Sequence, residues 1–385
     1  MGPLELADFE RAARARLPAE IWDFVQGGSG AERTLAANRA QFGHCRLRPR
    51  TLVDVSTTDQ GLTLLGSRLR TPIGVAPMAY HQLFHPEGEA ATARAAGRAG
   101  ALLVAGIFAS RTLESIAEAA TGPLWLQLYW LRRRDALAAV VERAEAAGFR
   151  ALVLTVDAPR IGRRLRDARN GFAVPAHIRA VNLDQALMAA SHRAGEGSSG
   201  IAEHAREQFD PTLTWADLSW LRERSSLPIV LKGILTAEDA RLAAEHGVDA
   251  VVVSNHGGRQ LDGALATLSA LPEVVAAVPP ELPVLLDGGV RTGTDVALAI
   301  ALGARAVLIG RPVLWGLAVD GEDGVARILG LLKSELDDTM ALLGRPRLAD
   351  LDHTVVARPA GSEPPAAAAT ATSTATATSA PDRRR

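Results

Sequence analysis

The sequence has one cysteine, Cys45, no apolar run long enough to cross a bilayer, and a formal net charge of only −1 over 385 residues. A single cysteine excludes an internal disulfide and favours a reducing compartment. The short apolar runs give no reason to expect a membrane partner, and the balanced charge gives none to expect nucleic acid. The first residues also lack a signal pattern, so we expect a cytoplasmic protein.

Composition divides the chain into a main domain and a tail. Residues 1–45 have the pattern of helices, over 8–17, from Ala19 to Val25 and over 31–42, which we expect to cover one end of the main domain. Residues 358–385 consist mainly of Ala, Thr, Ser and Pro and end in three arginines. Such a segment cannot bury a core, so we predict one domain over 1–357 and a disordered tail.

From about residue 71, short apolar runs alternate with Ala-rich, charge-bearing helical segments. Glycines stand where helix C-caps precede the next run, at Gly148, Gly247 and Gly303. Eight such units predict an α/β protein with a (β/α)8 TIM barrel. A doubly wound open sheet is the alternative, but no Gly-x-Gly-x-x-Gly follows the first run. The eight runs are Pro72–Met78, Ala101–Ile107, Leu124–Trp130, Ala151–Asp157, Pro228–Ile234, Ala250–His256, Pro283–Gly289 and Ala306–Pro312.

The insertion over residues 158–227 is much longer than one barrel helix requires. It leaves the carboxyl end of the fourth strand, so we expect it to lie over the mouth of the barrel. A lid on the site and an inert surface insertion are both consistent with this position.

One stretch joins a buried strand directly to reactive side chains. The apolar run from Ala250 leads into Ser254, Asn255 and His256, and Arg259 follows after two glycines. Barrels keep their chemistry at the carboxyl ends of the strands. A base beside a guanidinium suits a substrate that carries a carboxylate and loses a proton. An isolated histidine of this kind is more often a hydrogen-bonded loop residue, but the other strand ends favour a catalytic one.

Polar residues also end the neighbouring strands. A lysine inside a barrel, such as Lys232, must be paired or functional. Loops with glycine and arginine after strands seven and eight are the usual phosphate site of such barrels. A phosphate together with several hydrogen-bonding groups fits flavin mononucleotide (FMN), and no metal site is predicted. The residues concerned are Gln127, Tyr129, Thr155, Asp157, Lys232, Ser254, His256, Asp287, Gly289, Arg291, Gly310 and Arg311.

The run Ser254-Asn-His-Gly-Gly-Arg-Gln-Leu-Asp262 closely resembles the signature of the FMN-dependent 2-hydroxy acid oxidases and dehydrogenases, a family that includes glycolate oxidase, lactate oxidase and mandelate dehydrogenase. The resemblance covers roughly residues 4–355. It implies bound FMN, a small 2-hydroxy acid substrate and a homotetramer. Further matches are Ala76-Pro-Met-Ala79, Gln127-Leu-Tyr129, Leu154-Thr-Val-Asp157, Arg163-Arg164, Lys232-Gly233, Asp287-Gly-Gly-Val-Arg291 and Gly310-Arg-Pro312.

The resemblance also implies a role for each matched residue. His256 is the catalytic base, and Asp157 is hydrogen-bonded to it and favours its protonated form. Arg164 and Arg259 hold the substrate carboxylate, and Tyr129 hydrogen-bonds the substrate. Lys232 stabilises negative charge on the reduced flavin. The cofactor ring is bound by Met78, Ala79, Gln127, Thr155 and Ser254, and its ribityl chain and phosphate by Asp287, Gly289, Arg291, Gly310 and Arg311.

Three positions depart from the family pattern. The family usually has a tyrosine at Phe24 and often a serine at Gly106, and glycolate oxidase has a tryptophan at Phe108. These changes remove hydroxyl groups and open space beside the substrate. They favour an aromatic (S)-2-hydroxy acid such as (S)-4-hydroxymandelate or (S)-mandelate, although core packing also explains each residue.

The electron acceptor separates the remaining alternatives. We expect dioxygen, reduced to hydrogen peroxide; a dehydrogenase with a quinone or haem acceptor and a glycolate or lactate oxidase are the alternatives. Membrane-bound relatives carry an apolar segment after the fourth strand, whereas 158–227 is rich in charge. An isomerase that uses reduced flavin and a non-catalytic flavin-binding protein are less consistent with His256, Arg164 and Arg259 occurring together.

Overall fold

The computed structural model describes residues 2–195 and 197–357. Eight parallel strands close into a barrel, each paired with the next along the chain and the last with the first. This confirms the predicted (β/α)8 architecture. Seven of these strands end before the predicted runs because the backbone leaves the sheet at the carboxyl end, whereas the fifth ends at Ile234 as predicted. They are β1 Ile73–Val75, β2 Leu103–Gly106, β3 Leu124–Leu128, β4 Leu152–Thr155, β5 Ile229–Ile234, β6 Ala250–Val253, β7 Val284–Asp287 and β8 Ala306–Ile309.

Three helices precede the barrel, close to the predicted bounds: α1 Leu6–Arg16, α2 Ala19–Gln26 and α3 Arg33–His44. Helix α3 is fixed to the loop after β6, because the amides of Asn38 and Asn255 exchange two hydrogen bonds of 2.8 Å. In the same loop, Asp262 accepts from the backbone N–H groups of Ala31 and Thr34 at 2.9 and 3.0 Å. The N-terminal helices are therefore bonded to the loops of the barrel mouth.

Helices and short ribbons surround the barrel. Gly148, Gly247 and Gly303 have φ values of 87°, 66° and 105°, as expected of helix C-caps. No helix of the described residues is long and apolar enough to span a membrane. The tail predicted over 358–385 lies outside the described residues. The helices are α4 Glu89–Ala99, α5 Leu113–Ala119, α6 Arg134–Ala146, α7 Leu165–Arg169, α8 Gln185–Met188, α9 Gly200–Gln208, α10 Leu218–Arg222, α11 Ala237–Glu245, α12 Thr267–Ala277, α13 Gly293–Ala301 and α14 Arg311–Leu342; short strands pair Arg46–Leu47 with Val356–Ala357 and Leu62–Leu64 with Ser67–Leu69.

The insertion after β4 contains α7 to α10. Its later part is tied to the loop that follows β3: Leu131 and Phe209 form an antiparallel bridge, and the Arg132 N–H donates to the Gln208 carbonyl at 2.8 Å. The later part of the insertion is therefore fixed relative to the end of β3, near Tyr129. Its residues reach the cavity described below, as expected of a segment at the barrel mouth.

Helix α14 contains a kink at Asp320 and Gly321, and its two halves meet at a pair of buried glycines. A Cβ atom on Gly324 would lie 2.0 Å from the carbonyl oxygen of Gly316. We therefore expect Gly324→Ala to lower the free energy of unfolding by about 1–3 kcal/mol, because backbone atoms on both sides must move. Thermal or urea unfolding measures the change.

Gly330→Ala is the matched control in the same helix. Gly330 is exposed, and a Cβ atom there meets nothing within 4 Å. Alanine should raise stability by about 0.5–1 kcal/mol because it is the better helix former. Equal effects of the two substitutions would contradict the close approach of the two halves.

Candidate active site

Most of the predicted site residues converge on one cavity at the carboxyl ends of the strands. Its wall combines strand ends, helix α2, the loop after β6 and helix α9 of the insertion. The predicted residues that line it are Phe24, Met78, Ala79, Phe108, Gln127, Tyr129, Thr155, Arg164, Lys232, His256, Arg259, Asp287, Gly289, Arg291, Gly310 and Arg311.

Three predicted residues lie behind this wall. Asp157 and Ser254 act through residues of the lining, as described below. Gly106 is different: a Cβ atom there would lie 3.1 Å from the Met78 carbonyl oxygen and 3.6 Å from Oε1 of Gln127. Gly106 therefore does not supply the additional space beside a substrate that the sequence suggested, because backbone already fills its surroundings.

His256 is held in one orientation by Asp157. The distance from its Nδ1 to Oδ1 of Asp157 is 3.0 Å, which places the Nδ1 proton towards the carboxylate and leaves Nε2 facing the cavity. Nε2 lies 3.4 Å from the Tyr129 hydroxyl. The backbone of His256 is left-handed, with φ of 60°, a conformation seldom adopted outside glycine and typical of functional sites. Glycine is required beside the pair, since a Cβ atom on Gly233 would lie 2.6 Å from the Asp157 Cβ.

The electrostatics of this pair suit a neutral base. Burial lowers the pKa of His256, and this effect outweighs Asp157, which raises it. Burial alone would raise the pKa of Asp157, but His256 and Lys232 bring it below its ordinary value. Asp157 therefore favours the protonated form of His256, as expected, yet the imidazole as a whole remains a weaker base than in water.

Lys232 is paired, as its position required. Its Nζ lies 2.8 Å from Oδ2 of Asp287 and donates to Oγ of Ser254 at 2.8 Å. Burial would lower the pKa of Lys232, but Asp287 and Asp157 together raise it, so the ammonium group stays charged. Ser254 Oγ also accepts from the His256 N–H at 3.1 Å, which links the lysine to the loop of the base. The other carboxylate oxygen of Asp287, Oδ1, is buried without a partner among the described residues.

An aromatic wall stands beside the base. The Tyr129 ring stacks on Phe209 at a centroid distance of 4.5 Å and on Phe108 at 5.4 Å. On another side, Phe24 stacks on Phe172 at 4.5 Å, and the Arg259 guanidinium lies 5.3 Å from the Phe24 ring centroid. The cavity thus presents flat apolar surfaces next to polar groups.

Arg164 and Arg259 bring buried positive charge to the site of the base, and the carboxylate of Asp167 offsets it only in part. Nη1 of Arg259 donates to the Gly27 carbonyl at 2.7 Å, and Nε of Arg164 is buried without a partner among the described residues. Neither forms an ion pair with a carboxylate in this part of the chain. Burial lowers the pKa of both groups, and Arg164 lowers that of Arg259 further. A carboxylate ligand would relieve this cost and can accept paired hydrogen bonds from guanidinium groups.

Arg291 and Arg311 form a second positive site. Burial, together with neighbouring arginines, lowers the pKa of Arg291 to about 9 and that of Arg311 to about 10. Arg311 donates to the carbonyls of Val25, Gly27 and Gly257 at 2.9–3.0 Å, and none of the described carboxylates pairs with either arginine. An anion such as phosphate would balance them.

The remaining groups fit the other parts of an FMN molecule. Gln127 and Thr155, joined at 2.9 Å, offer hydrogen bonds from adjacent strands, and Lys232 offers a fixed cation. Oδ1 of Asp287 can accept from a hydroxyl group, as ribityl binding requires. The donor set therefore matches a phosphate, a hydroxylated chain and a polar ring in one cavity.

Sequence reasoning missed lining residues from helices α2 and α14 and from the insertion: Val25, Leu314, Ile161, Ile201, His204, Ala205 and Phe209. The length and position of the insertion indicated a segment over the mouth, but no motif marked individual residues. Also missed were the amides that position the loops. Gln260, for example, donates to the carbonyls of Asp157 and Arg160 at 2.8 and 2.9 Å.

Comparison with known proteins agrees with this geometry. The model of the family described as FMN-dependent dehydrogenase matches residues 13–358. The chain is 49% identical to an L-lactate oxidase of Nostoc sp., over 91% of this chain and 97% of the relative. It is 50% identical to a 4-hydroxymandelate oxidase of Amycolatopsis orientalis, over 89% and 94%. A crystal structure of mandelate oxidase with (S)-4-hydroxymandelic acid is similar with a TM-score of 0.88 and 48% identity, over 91% of this chain and 97% of that one. The cofactor is accordingly FMN.

Because Arg291 and Arg311 are placed to bind the phosphate of FMN, a substitution there should affect FMN and riboflavin differently. Arg291→Gln should weaken FMN binding by roughly 10- to 100-fold, the effect of one charge-assisted hydrogen bond, and should change riboflavin binding by less than about twofold. Titrating apoprotein with each flavin and following flavin fluorescence measures both affinities. Arg347→Gln, at an exposed arginine paired with Asp350, is the control. An equal loss of affinity for both flavins would show that Arg291 does not bind the phosphate.

Proposed function

The chain belongs to the FMN-dependent dehydrogenase family, and from that premise we propose that it oxidises an aromatic (S)-2-hydroxy acid, (S)-4-hydroxymandelate or (S)-mandelate, to the 2-oxo acid. The substrate loses two electrons and two protons, and dioxygen takes up two of each to form hydrogen peroxide. The observation that carries the proposal is a neutral histidine that shares one cavity with two buried guanidinium groups and an aromatic wall.

The substrate carboxylate binds to Arg164 and Arg259. Neither forms an ion pair with a described carboxylate, and burial lowers the pKa of both more than Asp167 raises it, so a substrate carboxylate supplies negative charge at close range. Contact with two guanidinium groups fixes the acid end of the molecule and therefore the face that it turns to the cofactor. The Tyr129 hydroxyl, 3.4 Å from Nε2 of His256, is placed to hydrogen-bond the 2-hydroxyl group.

His256 takes the proton from the substrate, at C2 or at its hydroxyl group, through Nε2. The negative charge of Asp157 stabilises the imidazolium that forms, and the Nδ1 hydrogen bond keeps Nε2 pointed at the substrate. FMN, when bound, supplies the two-electron acceptor. Lys232 contributes a buried positive charge on the cofactor side, balanced at rest by Asp287 at 2.8 Å.

An aromatic substituent is supported by the shape of the cavity. Phe24, Phe108 and Phe209 offer flat apolar surfaces, and Ile201 adds to them from helix α9. The relative named 4-hydroxymandelate oxidase and the mandelate oxidase structure also support an aromatic substrate. A short-chain 2-hydroxy acid is the second candidate, because a relative of nearly equal identity is named L-lactate oxidase.

Dioxygen as acceptor is supported by the relatives, whose names are those of oxidases. A soluble dehydrogenase that reduces another acceptor is the competing reading. From the family resemblance we also propose that residues 1–357 form the catalytic domain, with 158–227 as a lid, and that the protein is a cytoplasmic homotetramer.

Anaerobic mixing tests the function. We expect (S)-4-hydroxymandelate and (S)-mandelate to bleach the flavin absorbance, lactate and glycolate to do so at least tenfold more slowly, and air to restore the colour with one peroxide per turnover. His256→Ala is the negative control; it should retain FMN and fail to bleach. Bleaching that persists in air would indicate another acceptor, and a preference for lactate or glycolate would overturn the aromatic specificity.

The pH dependence tests the base. His256 acts when neutral, and burial lowers its pKa from that of a free imidazole, so kcat/KM should be constant above this pKa and fall as the pH drops through it. Asp157→Asn removes a charge that raises this pKa. The acid limb should therefore move to lower pH, while the plateau falls by roughly 10²-fold because the imidazolium loses its stabilising charge. An acid limb that stays in place would show that another group titrates.

A further inference from the structure

His204 is a buried polar residue that the chemistry at His256 does not use. It lies on helix α9 of the insertion, is 2% exposed and lines the cavity. Neither ring nitrogen forms a hydrogen bond of good geometry among the described residues, although the backbone of Leu187 acts on the imidazole as a weak hydrogen-bonding group. Its ring meets the edges of Phe108 and Phe209, at centroid distances of 5.1 and 6.3 Å.

The state of this imidazole is that of a neutral hydrogen-bonding group. Burial lowers the pKa of His204 to about 4; the backbone of Leu187 opposes the shift in part, and His192 adds to it. A neutral imidazole has one donor nitrogen and one acceptor nitrogen. Leaving the ring nitrogens without well-formed hydrogen bonds in an apolar wall costs stability, which any of several apolar side chains would avoid. A ligand that offers a hydroxyl group would satisfy them.

The position of His204 indicates which part of a ligand it meets. Aromatic rings form a row from His204 through Phe108 and Tyr129 to His256, with centroid distances of 5.1, 5.4 and 6.4 Å. The acid end of a substrate is held at the His256 end of this row by Arg164 and Arg259. A substrate ring that extends along the row reaches His204 with the atoms farthest from its carboxylate.

We propose that His204 is a specificity-determining residue that hydrogen-bonds a hydroxyl group at the far end of the substrate ring, as in a 4-hydroxyphenyl 2-hydroxy acid. This assignment rests on the proposed aromatic specificity and narrows it to a phenolic ring. It also gives helix α9 a function: the insertion carries the group that distinguishes a phenol from an unsubstituted ring.

Tyr80 is the competing group at this cavity. Its hydroxyl is also buried without a hydrogen-bond partner among the described residues. However, Ser191 acts on the Tyr80 hydroxyl as a hydrogen-bonding group and opposes the rise in its pKa that burial causes. Each group therefore has one weak polar neighbour in the insertion, Ser191 at Tyr80 and the Leu187 backbone at His204. His204 is favoured by its position, because its ring belongs to the row of aromatic contacts that leads to His256.

Ligand binding to the oxidised, FMN-loaded enzyme tests the assignment without turnover. The probes are two 2-oxo acids, 4-hydroxybenzoylformate and benzoylformate, and the readout is the shift of the flavin absorbance on titration. The wild-type protein should bind the hydroxylated acid roughly tenfold more tightly, the size of one net hydrogen bond. His204→Phe should bring the ratio close to one by weakening only the hydroxylated acid, and His204→Gln should restore part of it.

The other outcomes overturn the assignment. Equal affinities in the wild-type protein, or an equal loss for both acids in His204→Phe, would show that His204 only packs. Loss of the preference in Tyr80→Phe but not in His204→Phe would assign the contact to Tyr80. Failure of both aromatic acids to bind, with lactate or glycolate binding instead, would overturn the proposed aromatic function and this inference with it.

Discussion

The mouth of the barrel depends on two buried acid–base pairs that are removed from water together. Asp157 is paired with His256 and Asp287 with Lys232, at 3.0 and 2.8 Å. A buried charge without its partner is strongly destabilising, so each pair constrains where its two elements end. The four residues follow or end β4, β5, β6 and β7, and Ser254 joins the pairs by bonding both Lys232 and the His256 backbone. Folding of this end of the barrel therefore requires the same side-chain pairs that position His256 and Lys232.

Beyond these pairs the site carries a surplus of positive charge. Arg164, Arg259, Arg291 and Arg311 form no ion pair with a described carboxylate, although Asp167 acts on the first two at longer range. Main-chain carbonyls at the end of α2 accept hydrogen bonds from Arg259 and Arg311. Carbonyl groups satisfy hydrogen bonds but leave the charge uncompensated. The site thus becomes electrically balanced only with anionic ligands, a phosphate at one end and a carboxylate at the other. The N-terminal helices contribute part of this site rather than only covering the barrel.

The sequence allowed the barrel and most of the site to be predicted, because both are recorded in local patterns. Apolar runs mark the strands, and the polar residues that end them share one mouth in a parallel barrel. The sequence did not show which side chains pair, since Lys232 lies on β5 and Asp287 on β7, with β6 between them along the chain. It suggested space at Gly106, where the Met78 backbone lies close. It also did not mark His204 or Phe209, because helix α9 reaches the cavity only through the bridge between Leu131 and Phe209.

The same bridge fixes the position of the aromatic residues of the insertion relative to His256, although the two come from different segments of the chain. His256 and Tyr129 follow the ends of β6 and β3, whereas His204 and Phe209 belong to the later part of the insertion. Phe209 belongs to the insertion, but its ring stacks on Tyr129, which follows β3 and reaches His256. A substrate ring lying along this wall is therefore positioned by one rigid aromatic stack relative to both ends. Substitutions in α9 can alter which ring substituent is accepted without moving the base, because the charge pairs that orient His256 involve no residue of that helix.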